Sequence, residues 1–165
     1  MRGGTHVGIP KGVNQVRPIT ISSLHRRLTG RMYLEQHRQY LVRLLGDSNY
    51  GVLVKGGVEA AVHGLDLLVK ANSDAVILKF DGRQAFQQVS MDIILKKIWD
   101  TPSLQRLYPF VYSMYAQGAG HLSIYDLEGI VFDEIYSEEG VFQGDSLASF
   151  LYALAMVEPL QELKE

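Results

Sequence analysis

The chain has 165 residues, 47% of them hydrophobic and 21% charged, enough for one domain with a real core and too apolar for wholesale disorder. It has no cysteine, which removes disulfides, thiolate catalysis and cysteine zinc sites. The net charge of −2 does not by itself call for a nucleic-acid partner.

In chain order, His6 to Pro10 and Gln15 to Ile21 read as two short strands. The Lys11-Gly12-Val13-Asn14 turn between them makes a hairpin, because Gly and Asn accept positive φ. Pro18 confines it to an edge or a bulge. Ser22-Ser23 caps a helix that runs through Leu24, Leu28 and Met32, weakened by Gly30. Residues 46–49 form a loop. After Gly56-Gly57 a helix presents Val58, Ala61, Val62, Leu65, Leu68 and Val69 as an apolar face. Ala75 to Phe80 (AVILKF) is a buried-strand run, and Asp81 follows it directly. Ile93, Ile94, Ile98 and Trp99 mark a helix ended before Pro102. Leu104, Leu107, Val111, Met114 and Tyr115 mark another. Leu122 to Tyr125 and Ile130 to Tyr136 are strands around Leu127-Glu128-Gly129. A last helix runs from about Asp145 through Met156, and Pro159 should kink or end it. Strands and helices do not alternate as βαβ units, so the predicted class is α+β.

The uncharged run Leu107 to Tyr125 is broken by Pro109, Gly118 and Gly120. Ser146 to Val157 falls short of the roughly 20 apolar residues of a spanning helix. The Gly-rich, polar start does not resemble a secretory signal. The chain reads as soluble and intracellular, with no membrane partner.

Charge is unevenly placed. Residues 1–43 carry eight Lys and Arg against one acid, and the rest carry eight against seventeen. A basic front and an acidic back suit a protein that holds phosphates with one part and metal ions with another. Arg26, Arg27 and Arg38, taken singly, read more plainly as a solvated helix face.

Two segments carry chemistry. Leu78 to Phe86 (LKFDGRQAF) places Asp81 after an apolar strand, where a rigid carboxylate can meet Mg²⁺; alone, Asp81 reads more plainly as a turn cap. Glu138 to Leu147 (EEGVFQGDSL) sets Gln143-Gly144 just before an apolar helix. Gly144 permits close backbone approach, the Gln143 amide both donates and accepts, and Asp145 suits a helix start. Alone, this is an ordinary capped loop.

Together and in this order, FDGRQAF and EGVFQGDSLASFLYALA resemble the reverse transcriptase family, most closely the polymerases of retroelements without long terminal repeats. GIPKGVNQVRPITIS resembles that family's paired fingers strands, and KGGVEAAVHG is also similar. The resemblance covers most of the chain. It implies a partial right-hand polymerase fold, with fingers over residues 1–70 and the first half of the palm over 71–165. The implied partners are an RNA template, a DNA primer and a deoxynucleoside triphosphate, with Mg²⁺ as cofactor. Asp81 would be the first metal-binding carboxylate, and the Gly82 carbonyl would add a ligand. Phe86 would be the steric gate under the sugar. Gln143 and Gly144 would line the nucleotide, and Lys11 and Arg17 would reach its triphosphate.

Gln84 stands where the family motif usually has Asn, and Ser146 where Pro is frequent. No Asp-Asp dipeptide occurs in the sequence, although the family carries one after the last helix. The expectation is therefore a truncated, inactive polymerase. Two other readings stay open: a nucleic-acid-binding module that keeps only the basic fingers, and an unrelated protein-interaction domain. Low solubility is also expected, with Phe150, Leu151, Leu154 and Met156 exposed beside an unpaired sheet edge.

Overall fold

The computed structural model describes residues 4–10, 16–115, 120–125, 128–137 and 139–163. Two strands open the chain, β1 (Gly4–Pro10) and β2 (Val16–Ser22). They pair antiparallel, with His6 opposite Thr20 and Pro10 opposite Val16. The predicted hairpin is present. Its turn, including Lys11, lies outside the described residues.

Helix α1 (Leu24–Gln36) starts where expected: Ser23 is its N-cap, and the Ser23 hydroxyl accepts from the Arg26 amide at 3.4 Å. The apolar residues that predicted it do not face inward. Leu24, Leu28 and Met32 are exposed, while Arg26 and Gly30 are buried. Residues four apart share a helix face, so α1 turns Arg26 and Gly30 to the core and Leu24 and Leu28 outward. Gly30 is a packing position. A Cβ there would collide with Ser146 Oγ and stand 3.1 Å from Leu147 Cγ.

Helix α2 (Arg38–Leu45) and helix α3 (Gly57–Ala71) follow. Between them, Asn49 braces the loop with two bonds to Val52, and Arg38 Nη1 donates to the Leu53 carbonyl at 2.9 Å. The predicted α3 exists, but its apolar face meets solvent: Val58, Val62, Leu65 and Leu68 are all exposed.

The run Ala75 to Phe80 is not a strand. It has no regular secondary structure and is exposed, with Val76 at 83%, Leu78 at 74% and Phe80 at 80%. A strand is held by a neighbour's hydrogen bonds, and no described segment pairs with this one. Exposed apolar surface thus lies here as well as on α1 and α3. Phe150, Leu151 and Leu154, which were expected to be exposed, are buried.

Helix α4 (Ala85–Gln88) is a single turn, and α5 (Met91–Asp100) is capped by Ser90 and ends before Pro102 as predicted. A 3₁₀ turn (Gln105–Leu107) leads into α6 (Tyr108–Tyr115). Strands β3 (Gly120–Tyr125) and β4 (Val131–Ser137) form a second antiparallel pair. Helix α7 (Ala148–Glu162) closes the chain. It begins three residues later than expected and runs past Pro159. The core is built by Leu41 and Leu45 of α2, Ile94 and Ile98 of α5, Val111 and Met114 of α6, and Phe150, Leu151 and Leu154 of α7. It draws on both sides of residue 70. No helix among the described residues is long and apolar enough to cross a membrane. The α+β class holds.

Candidate functional site

The segment 139–147 is where distant parts of the chain meet. The Gly140 amide donates to the Val89 carbonyl at 3.1 Å, and the Val141 amide donates to the Phe86 carbonyl at 2.6 Å. Gly140 has φ +81, and a Cβ there would collide with the Phe86 and Gln87 carbonyl oxygens and stand 2.6 Å from the Gln87 carbonyl carbon. Both left-handed φ and backbone contact demand glycine. Gly140→Ala should lower stability by roughly 2–4 kcal/mol in urea denaturation. A loss under about 0.5 kcal/mol, the range of ordinary surface changes, would show that this junction is not formed.

On the other side, the segment adds to the hairpin. The Thr20 amide of β2 donates to the Gln143 carbonyl at 2.7 Å. Gly144 has φ +102, and a Cβ there would stand 2.7 Å from the Thr20 carbonyl oxygen. One short stretch therefore joins the 84–89 turn, which follows Asp81, to the basic hairpin.

Beneath it lies a buried ion pair. Arg26 Nε donates to Asp145 Oδ2 at 2.5 Å, Nη2 lies against the same oxygen, and both side chains are 1% exposed. The guanidinium sits over the rings of Tyr115 and Phe142, 4.8 and 5.2 Å from their centroids. Asp145 Oδ1 accepts from the Leu147 amide at 2.8 Å. Asp145 thus turns the chain before α7 and is not its N-cap, which is Leu147. Burial, with the Asp145 carboxylate close by, pushes the Tyr115 phenol well above its ordinary range, so it stays protonated. The reading of Arg26 as solvated is corrected: only Arg27 of that pair is exposed.

The predicted site residues can be placed against this frame. Phe86 is half-buried, with its ring 5.4 Å from that of Tyr152 on α7. Gly82 lies beside the same side chain, since a Cβ there would be 3.7 Å from Tyr152 Oη. Gln143 is half-buried and Gly144 exposed. Arg17 is on β2 and exposed. Lys11 is outside the described residues. Asp81 is exposed on a segment without regular secondary structure and does not end a strand. Gln84 takes φ +51 at the start of α4, a left-handed conformation that Asn tolerates better.

The described residues supply only part of a Mg²⁺ site. Asp81 offers one exposed carboxylate, and among the described residues no group of three or more His, Asp or Glu could hold a metal ion. The described residues do not make a two-metal centre.

Sequence reasoning missed Arg26, Asp145 as its partner, and Tyr152. Only the four-residue spacing of Arg26 and Gly30 was a usable signal, because it places a small residue and a charge on one helix face.

The family model for reverse transcriptase (RNA-dependent DNA polymerase) matches residues 9–165. The chain belongs to the reverse transcriptase family. No curated protein matches its sequence. Among solved structures it is similar to apo telomerase from Candida tropicalis truncated from its C-terminal domain. The identity is 19% and the TM-score 0.59, over 99% of this chain and 39% of that one. At that identity the likeness speaks for the fold. This reverse transcriptase chain spans about two-fifths of the length of that relative.

Proposed function

We propose that the chain forms the fingers (residues 1–70) and the first half of the palm (71–165) of a reverse transcriptase of the non-long-terminal-repeat retroelement type, and that the 139–147 junction receives the incoming deoxynucleoside triphosphate. The observation that supports this is the double attachment of one loop. Val141 is bonded to the Phe86 carbonyl and Gln143 to the Thr20 amide, so three motifs distant in sequence meet at one place. In this reading the Gln143 amide and the Gly144 backbone line the nucleotide. Phe86 lies under its sugar, and Arg17 and Lys11 supply positive charge for its triphosphate. A polar amide and an exposed backbone N–H can orient a sugar, while cations answer the phosphates. The primer would be DNA and the template RNA.

Asp81 and the Gly82 carbonyl are the proposed share of a divalent-metal site, with Mg²⁺ as the expected ion. One carboxylate does not hold two metals at the spacing of an in-line displacement, and the 165 residues contain no Asp-Asp dipeptide. The purified chain, given Mg²⁺ or Mn²⁺, a primed RNA template and deoxynucleotides, should incorporate nothing above background. Loss of one essential member of a catalytic unit removes most of the rate. Template-dependent extension that disappears in Asp81→Asn would refute the expected inactivity.

A further inference from the structure

We propose that the Arg26–Asp145 pair is a positioning device that sets the Gln143-Gly144 backbone for the nucleotide; this rests on the reading of that loop given above. The two residues are 119 positions apart. They are the charged link between α1 and the segment that precedes α7, beside neutral attachments at Thr20, Phe86 and Gly30.

A buried ion pair is a poor choice for stability alone, because well-packed apolar side chains of similar volume usually serve as well or better. It does supply direction. The guanidinium is planar and packs against the adjoining rings of Tyr115 and Phe142. It therefore admits the carboxylate along one edge, and that edge sets the orientation of residue 145. The second oxygen of Asp145 holds the Leu147 amide, so the carboxylate is fixed at both ends. Gly144, next in the chain, lies close against the β2 backbone at Thr20. Gln143 is anchored by its own carbonyl to Thr20, which leaves its side-chain amide free to face a ligand.

The test separates positioning from folding. In the 165-residue chain, Arg26→Met with Asp145→Asn removes both charges and keeps the stacking volume and the acceptor for Leu147. Two readouts follow: exchange of the Thr20 amide relative to the Leu151 amide of α7, and affinity for fluorescently labelled dGTP with Mg²⁺. The double variant should unfold at a denaturant midpoint close to that of the parent. Its Thr20 amide should exchange at least tenfold faster than in the parent, with Leu151 unchanged, and its dGTP affinity should fall about tenfold or more. Parental Thr20 exchange and affinity would overturn the proposal. If the double variant does not fold, Asp145→Asn alone gives the same two readouts, since it keeps the shape and the acceptor for Leu147 while removing the charge and the oxygen to which Arg26 donates.

Gln143→Ala distinguishes the two levels of the argument, because it keeps the carbonyl that Thr20 binds. It should weaken dGTP binding with Thr20 exchange unchanged. Undiminished dGTP binding in Gln143→Ala would overturn the nucleotide reading and with it the nucleotide part of this proposal. Undiminished binding in the charge-free variant alone would overturn only the positioning role.

Discussion

Asp145→Ala should destabilise the chain by about 3–5 kcal/mol, the cost of leaving one buried charge without its partner. The Arg26 guanidinium is enclosed by α1, Tyr115 and Phe142 and is 1% exposed. It cannot turn to water without opening that packing. The same substitution removes the acceptor for the Leu147 amide at the entrance to α7, which adds roughly 1 kcal/mol. Asp145→Asn should cost less, because its amide oxygen still accepts from Leu147, although an NH2 group then replaces the oxygen to which Arg26 donates. Urea denaturation of the two variants beside the parent provides the check. Equal, small losses under about 1 kcal/mol, as at exposed pairs, would mean that the ion pair is solvated and the packing of α1 against residues 142–147 is wrong.

Phe86→Val should admit ribonucleotides in a chimera that supplies the rest of a reverse transcriptase palm. The expected gain in ribonucleotide use relative to deoxynucleotide use is about tenfold to a hundredfold, the range that a change in pocket shape can give. The structure makes this a clean substitution in one respect. The link from this turn to Val141 runs through the Phe86 carbonyl and not its ring, so trimming the side chain leaves the junction in place. The ring contact to Tyr152 is lost, and deoxynucleotide use should fall modestly for that reason. Steady-state incorporation of matched dNTP and rNTP pairs measures both. Unchanged discrimination would remove Phe86 from the sugar pocket.

Much of the framework was legible in the residues themselves. The Gly and Asn turn with β-branched flanks announced the β1–β2 hairpin, and Ser23 and Ser90 announced their helices, because caps and turns are decided by a few neighbouring atoms. Helices α5 and α6 were legible for another reason: Ile94, Ile98, Val111 and Met114 repeat at helical spacing and are buried where that spacing puts them. The ordered motifs around Asp81 and Gln143 carried the family, which the match over residues 9–165 then showed.

Other features depended on partners that no local pattern names. AVILKF has the composition of a buried strand, yet strand formation needs a neighbour's backbone, and none of the described segments supplies one. Leu24 and Leu28 of α1 and the apolar stripe of α3 keep their period but face solvent. Periodicity tells which residues share a face, and only packing tells which face is covered. Arg26 is the sharpest case. Beside Arg27 in the sequence it looks like surface charge, and it is buried because Gly30 lets α1 close onto Ser146 and Leu147 and brings Asp145 within reach. Local chemistry determined the elements and the motifs of this chain. Its tertiary structure decided which charge would be enclosed, because enclosing a charge requires a partner from 119 residues away.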